Sequence, residues 1–308
     1  MVTLGGVDPS ILLAHATPGS PIAPLTPARL LSGWSFEPFP LLVVLLLGGL
    51  YVTGVRRLRA RDISWSRWRT ASFVGLGLGS FLLATESALA TYDTVLLSVH
   101  MVQHMVLSMV TPIFLALGAP VTLALRTLPG RPRGWLLRLL HSRLAKVLTF
   151  PPLAGAVFVA NPFVLYFSGW YEATLRNGLL HDLNHVHFVL VGCLWFWPLL
   201  GVDPMPLRVP YPLRMIAVFA TLPFHAFLGL AIMSMTTVIA GDWYAAMGRT
   251  WGAGPLADQR TAGGILWAAG DIVGLVVLGA LAVQWMRASE REAEREDRRL
   301  DRLEARGG

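Results

Sequence analysis

The chain has one cysteine, Cys193, and one lysine, Lys146, in 308 residues. A single cysteine excludes an intramolecular disulfide, a Cys-x-x-Cys pair and covalent haem attachment through Cys-x-x-Cys-His. Cys193 sits in an apolar run and reads as a small buried hydrophobe. A retinal Schiff base needs a lysine embedded in the bilayer, and Lys146 lies at a boundary between a loop and an apolar run. Charge is scarce as well: 14% of residues are charged and 54% are hydrophobic, with mean hydropathy +0.57. That balance excludes a soluble domain with a large core and describes a polytopic membrane protein. The formal charge of +7 does not indicate a nucleic-acid partner, because the arginines concentrate in short loops between apolar runs. No basic region precedes the apolar patch at 11–16, which is too short for a cleavable signal peptide. Pro18, Pro21, Pro24 and Pro27 predict an extended, non-helical extracytoplasmic lead-in over 1–36.

What is present is a set of apolar runs of about 20 residues, the length that spans a bilayer. Seven are expected, near 37–55, 70–90, 94–117, 147–168, 184–201, 211–240 and 261–286. Pro223 predicts a kink or tilt in the sixth. The segments 56–69, 118–146, 202–214 and the tail from Arg287 hold 21 of the 25 basic residues. The alternate segments hold only Arg29, Arg176, Arg249 and Arg260. The positive-inside rule then places the N-terminus outside and the C-terminus in the cytoplasm. The expected fold is an all-α membrane protein with seven transmembrane helices over 37–286. Residues 118–146 predict an amphipathic helix on the inner leaflet, with Trp135, Leu136 and Leu139 alternating with arginines. Residues 287–308 form a charged cytoplasmic tail with i,i+4 ion pairs.

Within this apolar frame the ionisable residues stand out. His100, Gln103 and His104 lie at i, i+3 and i+4 in the run 95–117 and share one helical face. Polar groups in hydrocarbon are costly and face partners or a cavity. At 1.5 Å per residue, His100 lies roughly 10 Å and His104 roughly 16 Å below the outer surface. His181, Asn184 and His185 repeat the spacing at the mouth of the fifth span, and His187 points roughly the other way. His225 falls near the midplane beside Pro223. Glu86 and Asp271 fall in the same outer slab, and Asp258 sits just above the seventh span. Bundles build metal and cofactor sites from inward side chains on facing helices. The candidate metal ligands are therefore His100, His104, His185, His187 and His225. Glu86, Gln103, Asp258 and Asp271 are candidates to orient them. Met233 and Met235 are possible thioether donors for Cu(I), or ordinary core filler. The imidazoles equally suit an axial pair for haem b, such as His104 with His225, or a polar core network without metal.

Several short strings carry a family resemblance. They are His100-Met-Val-Gln-His104, Thr111-Pro112, Leu117-Gly-Ala-Pro120, His185-Val-His187-Phe, Phe196-Trp-Pro198, Phe224-His-Ala-Phe227 and Leu256-Ala-Asp-Gln259 followed by Gly270-Asp271. Together, over about 35–286, the chain resembles the seven-span CtaG family of cytochrome c oxidase assembly factors. The resemblance implies a non-enzymatic protein of the bacterial plasma membrane that delivers copper to an oxidase subunit. An extracytoplasmic copper chaperone would be a further partner. The alternatives, a b-type haem electron carrier and a metal-free scaffold, stay open at this point.

Overall fold

The computed structural model describes residues 16–19 and 23–307. Every regular element among them is a helix. In hydrocarbon an unsatisfied amide is expensive, and a helix satisfies its amides internally. In order the elements are α1 (Pro27–Ser32), α2 (Pro38–Arg59), α3 (Arg67–Tyr92), α4 (Leu97–Thr127), α5 (Gly130–Leu140) and α6 (Arg143–Leu148). They continue with α7 (Pro151–Phe167), α8 (Trp170–Arg176), α9 (Gly178–Leu200), α10 (Tyr211–Ser234), α11 (Gly241–Ala246) and α12 (Pro255–Gly307). Six of these, α2, α3, α4, α9, α10 and α12, are long and apolar enough to cross a membrane. The pair α7 and α8, bent by 68° at Ser168–Gly169, makes a seventh if it is one span. The protein is an all-helical, multi-pass membrane protein.

Among the departures from the expected boundaries, three bear on the architecture. Pro27 begins a helix: Thr26 caps α1 by accepting from the Arg29 amide, and proline at the first helical position needs no donor. The lead-in is therefore not wholly extended, while residues 1–15 and 20–22, Pro21 among them, lie outside the described residues. The sixth span stops at Ser234 rather than 240, and Pro223 sits inside a continuous helix. Gln259 terminates it: its amide donates to the Thr237 carbonyl at 3.0 Å and accepts from the Ile239 amide at 2.7 Å. The amphipathic stretch is two short helices, α5 and α6, which expose Trp135, Leu139 and Leu144.

Consecutive spans alternate direction, so the arginine-rich segments gather at one end of the bundle. The turns 93–96, 168–177 and 235–254 form the arginine-poor end. The lead-in is tied across that end: the Tyr92 hydroxyl donates to Ala23 and the Thr94 hydroxyl to Ala16, each at 2.9 Å.

Close packing fixes the phase of the helices that matter for the site. Wide π turns occur in α3 at 71–77 and in α4 at 106–110. The second begins two residues after His104 and precedes Pro112, whose missing N–H disrupts the regular ladder. Against this turn α9 brings Gly192: a Cβ there would lie 2.1 Å from the Ser108 carbonyl oxygen and 2.5 Å from Pro112. The α9 backbone thus rests on the α4 backbone. The faces carrying His181, His185, Phe188 and Gly192 turn inward together. A second close approach joins α10 to α12, where Gly229 and Gly263 each face the other's carbonyl oxygen.

Gly192→Ala is expected to destabilise the bundle by about 1–3 kcal/mol, the range for overpacking a filled interior. Thermal unfolding in detergent reads this as a lowered midpoint. An unchanged midpoint would contradict backbone contact between α4 and α9.

Candidate metal centre

The arginine-poor end holds a buried polar cluster built from three elements. The turn after α3 contributes Asp93, the first two turns of α4 contribute His100, Gln103 and His104, and α9 contributes His181 and His185. All six side chains are buried, and Asp93, His100 and Gln103 are fully excluded from solvent.

Gln103 organises the cluster. Its amide nitrogen donates to the Ala84 carbonyl at 3.0 Å and to Asp93 Oδ2 at 2.8 Å. With both protons so placed, its oxygen faces His185 Nε2 at 3.1 Å and accepts from it. His181 Nε2 is 2.9 Å from the same Asp93 Oδ2, and His185 Nε2 is 3.8 Å from it. Ligand atoms of Asp93, His181 and His185 all lie within 4.8 Å of one another.

His100 stands against this group. Its ring centroid is 6.4 Å from that of His181, 6.4 Å from that of His104 and 4.8 Å from that of Tyr171. Among the described residues neither of its ring nitrogens has a hydrogen-bond partner. A buried polar group left in that state costs about 1–3 kcal/mol. His104 is differently placed. Its ring stacks on Phe188 at 4.1 Å, and Nδ1 is 2.9 Å from the Tyr166 hydroxyl. That hydroxyl also donates to the Met101 thioether, at 3.5 Å. Tyr244 closes the end of the bundle, 2.6 Å from the Tyr171 hydroxyl. Burial pushes the Tyr244 phenol above its ordinary value, so it stays neutral.

The remaining candidates lie elsewhere. His187 is exposed on the outer face of α9 and pairs with Asn161 at 2.7 Å. His225 packs on Phe158 at 5.5 Å between ring centroids, with Nδ1 3.3 Å from the Thr221 carbonyl. Met233 packs against Gly263, and Met235 lies on the hydrophobic core. Glu86 Oε2 accepts from the Glu37 amide at 2.7 Å, beside the start of α2. Asp258 accepts from the amide and hydroxyl of Ser98 and so caps the start of α4 from a different helix. Asp271 accepts from the Trp267 indole four residues before it, at 2.7 Å. Asp93, absent from the sequence candidates, is the carboxylate at the centre. The signal that could have found it is an acidic residue ten positions before the Gln103 stripe.

A cavity of about 180 Å³ opens beside the cluster. Thr94, Thr174, Arg176, Trp243 and His181 line it, so His181 touches both the cavity and the buried carboxylate.

Fold and site together define a multi-pass helical membrane protein with a buried imidazole–carboxylate centre near one end. Its family follows from the sequence: the model of the cytochrome c oxidase caa3 assembly factor family (Caa3_CtaG) matches residues 49–288, and the chain belongs to that family. An uncharacterized protein of Mycobacterium bovis is 39% identical over 287 residues, 90% of this chain and 43% of the relative. An uncharacterized protein of Mycobacterium tuberculosis matches to the same extent. One of Mycobacterium leprae is 37% identical over 281 residues, 89% of this chain and 42% of the relative. The chain thus spans less than half the length of these relatives. No solved structure matches it.

Gln103→Leu removes the group that orients His185 and Asp93. It is expected to cost about 1–3 kcal/mol through the buried groups it strands. Thermal unfolding measures this, and a variant as stable as the parent would contradict the central role of that amide.

Proposed function

We propose that this chain acts in cytochrome c oxidase assembly by holding a copper ion as cargo at Asp93, His181 and His185 and passing it to an oxidase subunit. The observation that carries the reading is the convergence of three ligand atoms within 4.8 Å, beside a fully buried His100 whose nitrogens have no described partner. Metal–nitrogen bonds of about 2 Å set neighbouring ligand atoms about 3–4 Å apart, the scale of this cluster. Imidazole nitrogen with carboxylate oxygen suits copper and zinc alike; family membership favours copper.

The residues divide the work. Asp93 supplies negative charge where cations would otherwise be excluded. Gln103 holds the His185 ring through Nε2 in the metal-free cluster, and coordination at that nitrogen would release its proton and displace this bond. His181, reached from the 180 Å³ cavity, is the first ligand an incoming ion meets. His100 completes the set from α4. The haem alternative has less support. One face of His104 is covered by Phe188 and its Nδ1 is engaged by Tyr166, whereas the Asp93 cluster has the scale of a single ion.

The arrangement of arginines supports an N-terminus outside and a C-terminus in the cytoplasm of a bacterial plasma membrane. The copper site then faces the side from which an extracytoplasmic chaperone would deliver metal. This orientation has a direct test. In a Cys193→Ser background, a cysteine replacing Arg131 is expected to react with an impermeant maleimide only after cell lysis, and one replacing Arg249 in intact spheroplasts. The reverse pattern would invert the assignment.

For the site itself, copper-loaded protein freed of loose metal is expected to keep roughly one ion per chain. His181→Ala/His185→Ala and Asp93→Asn should each weaken retention by at least about tenfold. His187→Ala, on the outer face, should retain copper as the parent does. Elemental analysis after size exclusion reads all four proteins. A parent that retains no copper, or a His187→Ala variant as depleted as the double variant, would overturn the assignment.

A further inference from the structure

The opposite end of the molecule carries a cavity that the copper reading does not use. It encloses about 790 Å³, within the usual range of about 300–1,000 Å³ for small-ligand sites. Its charged lining is four arginines, Arg69, Arg126, Arg208 and Arg214, against one carboxylate, Asp203, with His141 at the edge.

Asp203 is engaged by neutral donors rather than by these arginines. Its carboxylate accepts from the amides of Val121 and Thr122, the Thr122 hydroxyl and the Trp197 indole, at 2.6–3.2 Å. It thereby caps the last segment of α4, which restarts at Pro120 after a left-handed Ala119. Arg214 is held in place by the carbonyls of Val209 and Leu199 at 2.7 and 3.1 Å. Arg69 and Arg126 both lie over the Trp65 ring, 5.0 and 6.0 Å from its centroid. One indole therefore positions two guanidinium groups that come from different helices. Among the described residues neither of these, nor Arg208, pairs with a carboxylate.

Guanidinium groups arranged around a cavity without acidic partners select phosphate oxygens, which accept two parallel N–H bonds from one fork. The height of the cavity in the bilayer is set by α5 and α6 at the same end. Trp135, Leu139 and Leu144 there are 61–68% exposed and form an apolar face suited to the headgroup boundary.

We infer that this cavity binds a phosphate-bearing anion, either the headgroup of an anionic phospholipid or a free phosphate. The inference rests on the cavity alone and is independent of the copper site.

The test uses the full chain in a neutral detergent and native mass spectrometry. Probes are phosphatidylglycerol, phosphatidylcholine with the same acyl chains, and inorganic phosphate. The parent is expected to retain one phosphatidylglycerol in at least tenfold preference to phosphatidylcholine, or to bind inorganic phosphate at that stoichiometry. Arg126→Gln/Arg208→Gln should lose the preference, and Arg126→Lys/Arg208→Lys should keep part of it. Arg291→Gln/Arg295→Gln in the tail removes the same charge far from the cavity and should behave as the parent. Displacement of the lipid by millimolar phosphate would make the free ion the occupant; resistance to displacement would make it the headgroup. Equal retention of both lipids with no phosphate bound would overturn the inference. So would equal loss of the preference in the tail variant.

Discussion

The site depends on a single amide. Gln103 gives one proton to the backbone of α3, the other to Asp93, and takes one from His185 of α9. The end of α3, the turn after it and the distant α9 are thereby held at one point, inside a bundle where apolar contacts carry no directional information. Helices in hydrocarbon can slide and rotate against each other at small cost unless a polar contact or a backbone contact fixes them. Here both kinds occur on the same pair. Gln103 sets the upper contact between α4 and α9, and Gly192 against Ser108 sets the lower one.

The polar residues outside the cluster show the same logic applied to architecture. Asp258 caps α4, Asp203 caps its last segment, and Gln259 ties off the end of α10. Each satisfies amides that the hydrocarbon cannot. Among the described residues the buried carboxylates divide into those that end helices and Asp93, which converges with imidazoles.

Much of this was legible in the sequence, for identifiable reasons. Span positions follow from run length, and the shared face of His100, Gln103 and His104 follows from helical spacing. What depth alone cannot give is azimuth. Sequence position puts Glu86 and Asp271 in the outer slab and Asp258 just above it, yet each is turned toward a helix end or a neighbour on its own helix. His187 shows the same limit within one element: two residues beyond His185 is about 200° around the axis, which carries it to the outer face. His181 shares the phase of His185, as the i, i+4 spacing requires. Asp93 lies in a turn with no periodicity to flag it. The end of α10 was misplaced because hydrophobicity continues past Ser234, while the stop signal is a glutamine on another helix.

The central claim is that Asp93, His181 and His185 share one copper ion, with His100 beside them. X-ray absorption at the copper edge of the loaded protein tests it most directly. The account predicts a first shell of two or three imidazole nitrogens and one oxygen at about 2 Å, with the outer-shell scattering of histidine rings. A shell dominated by sulfur would contradict it.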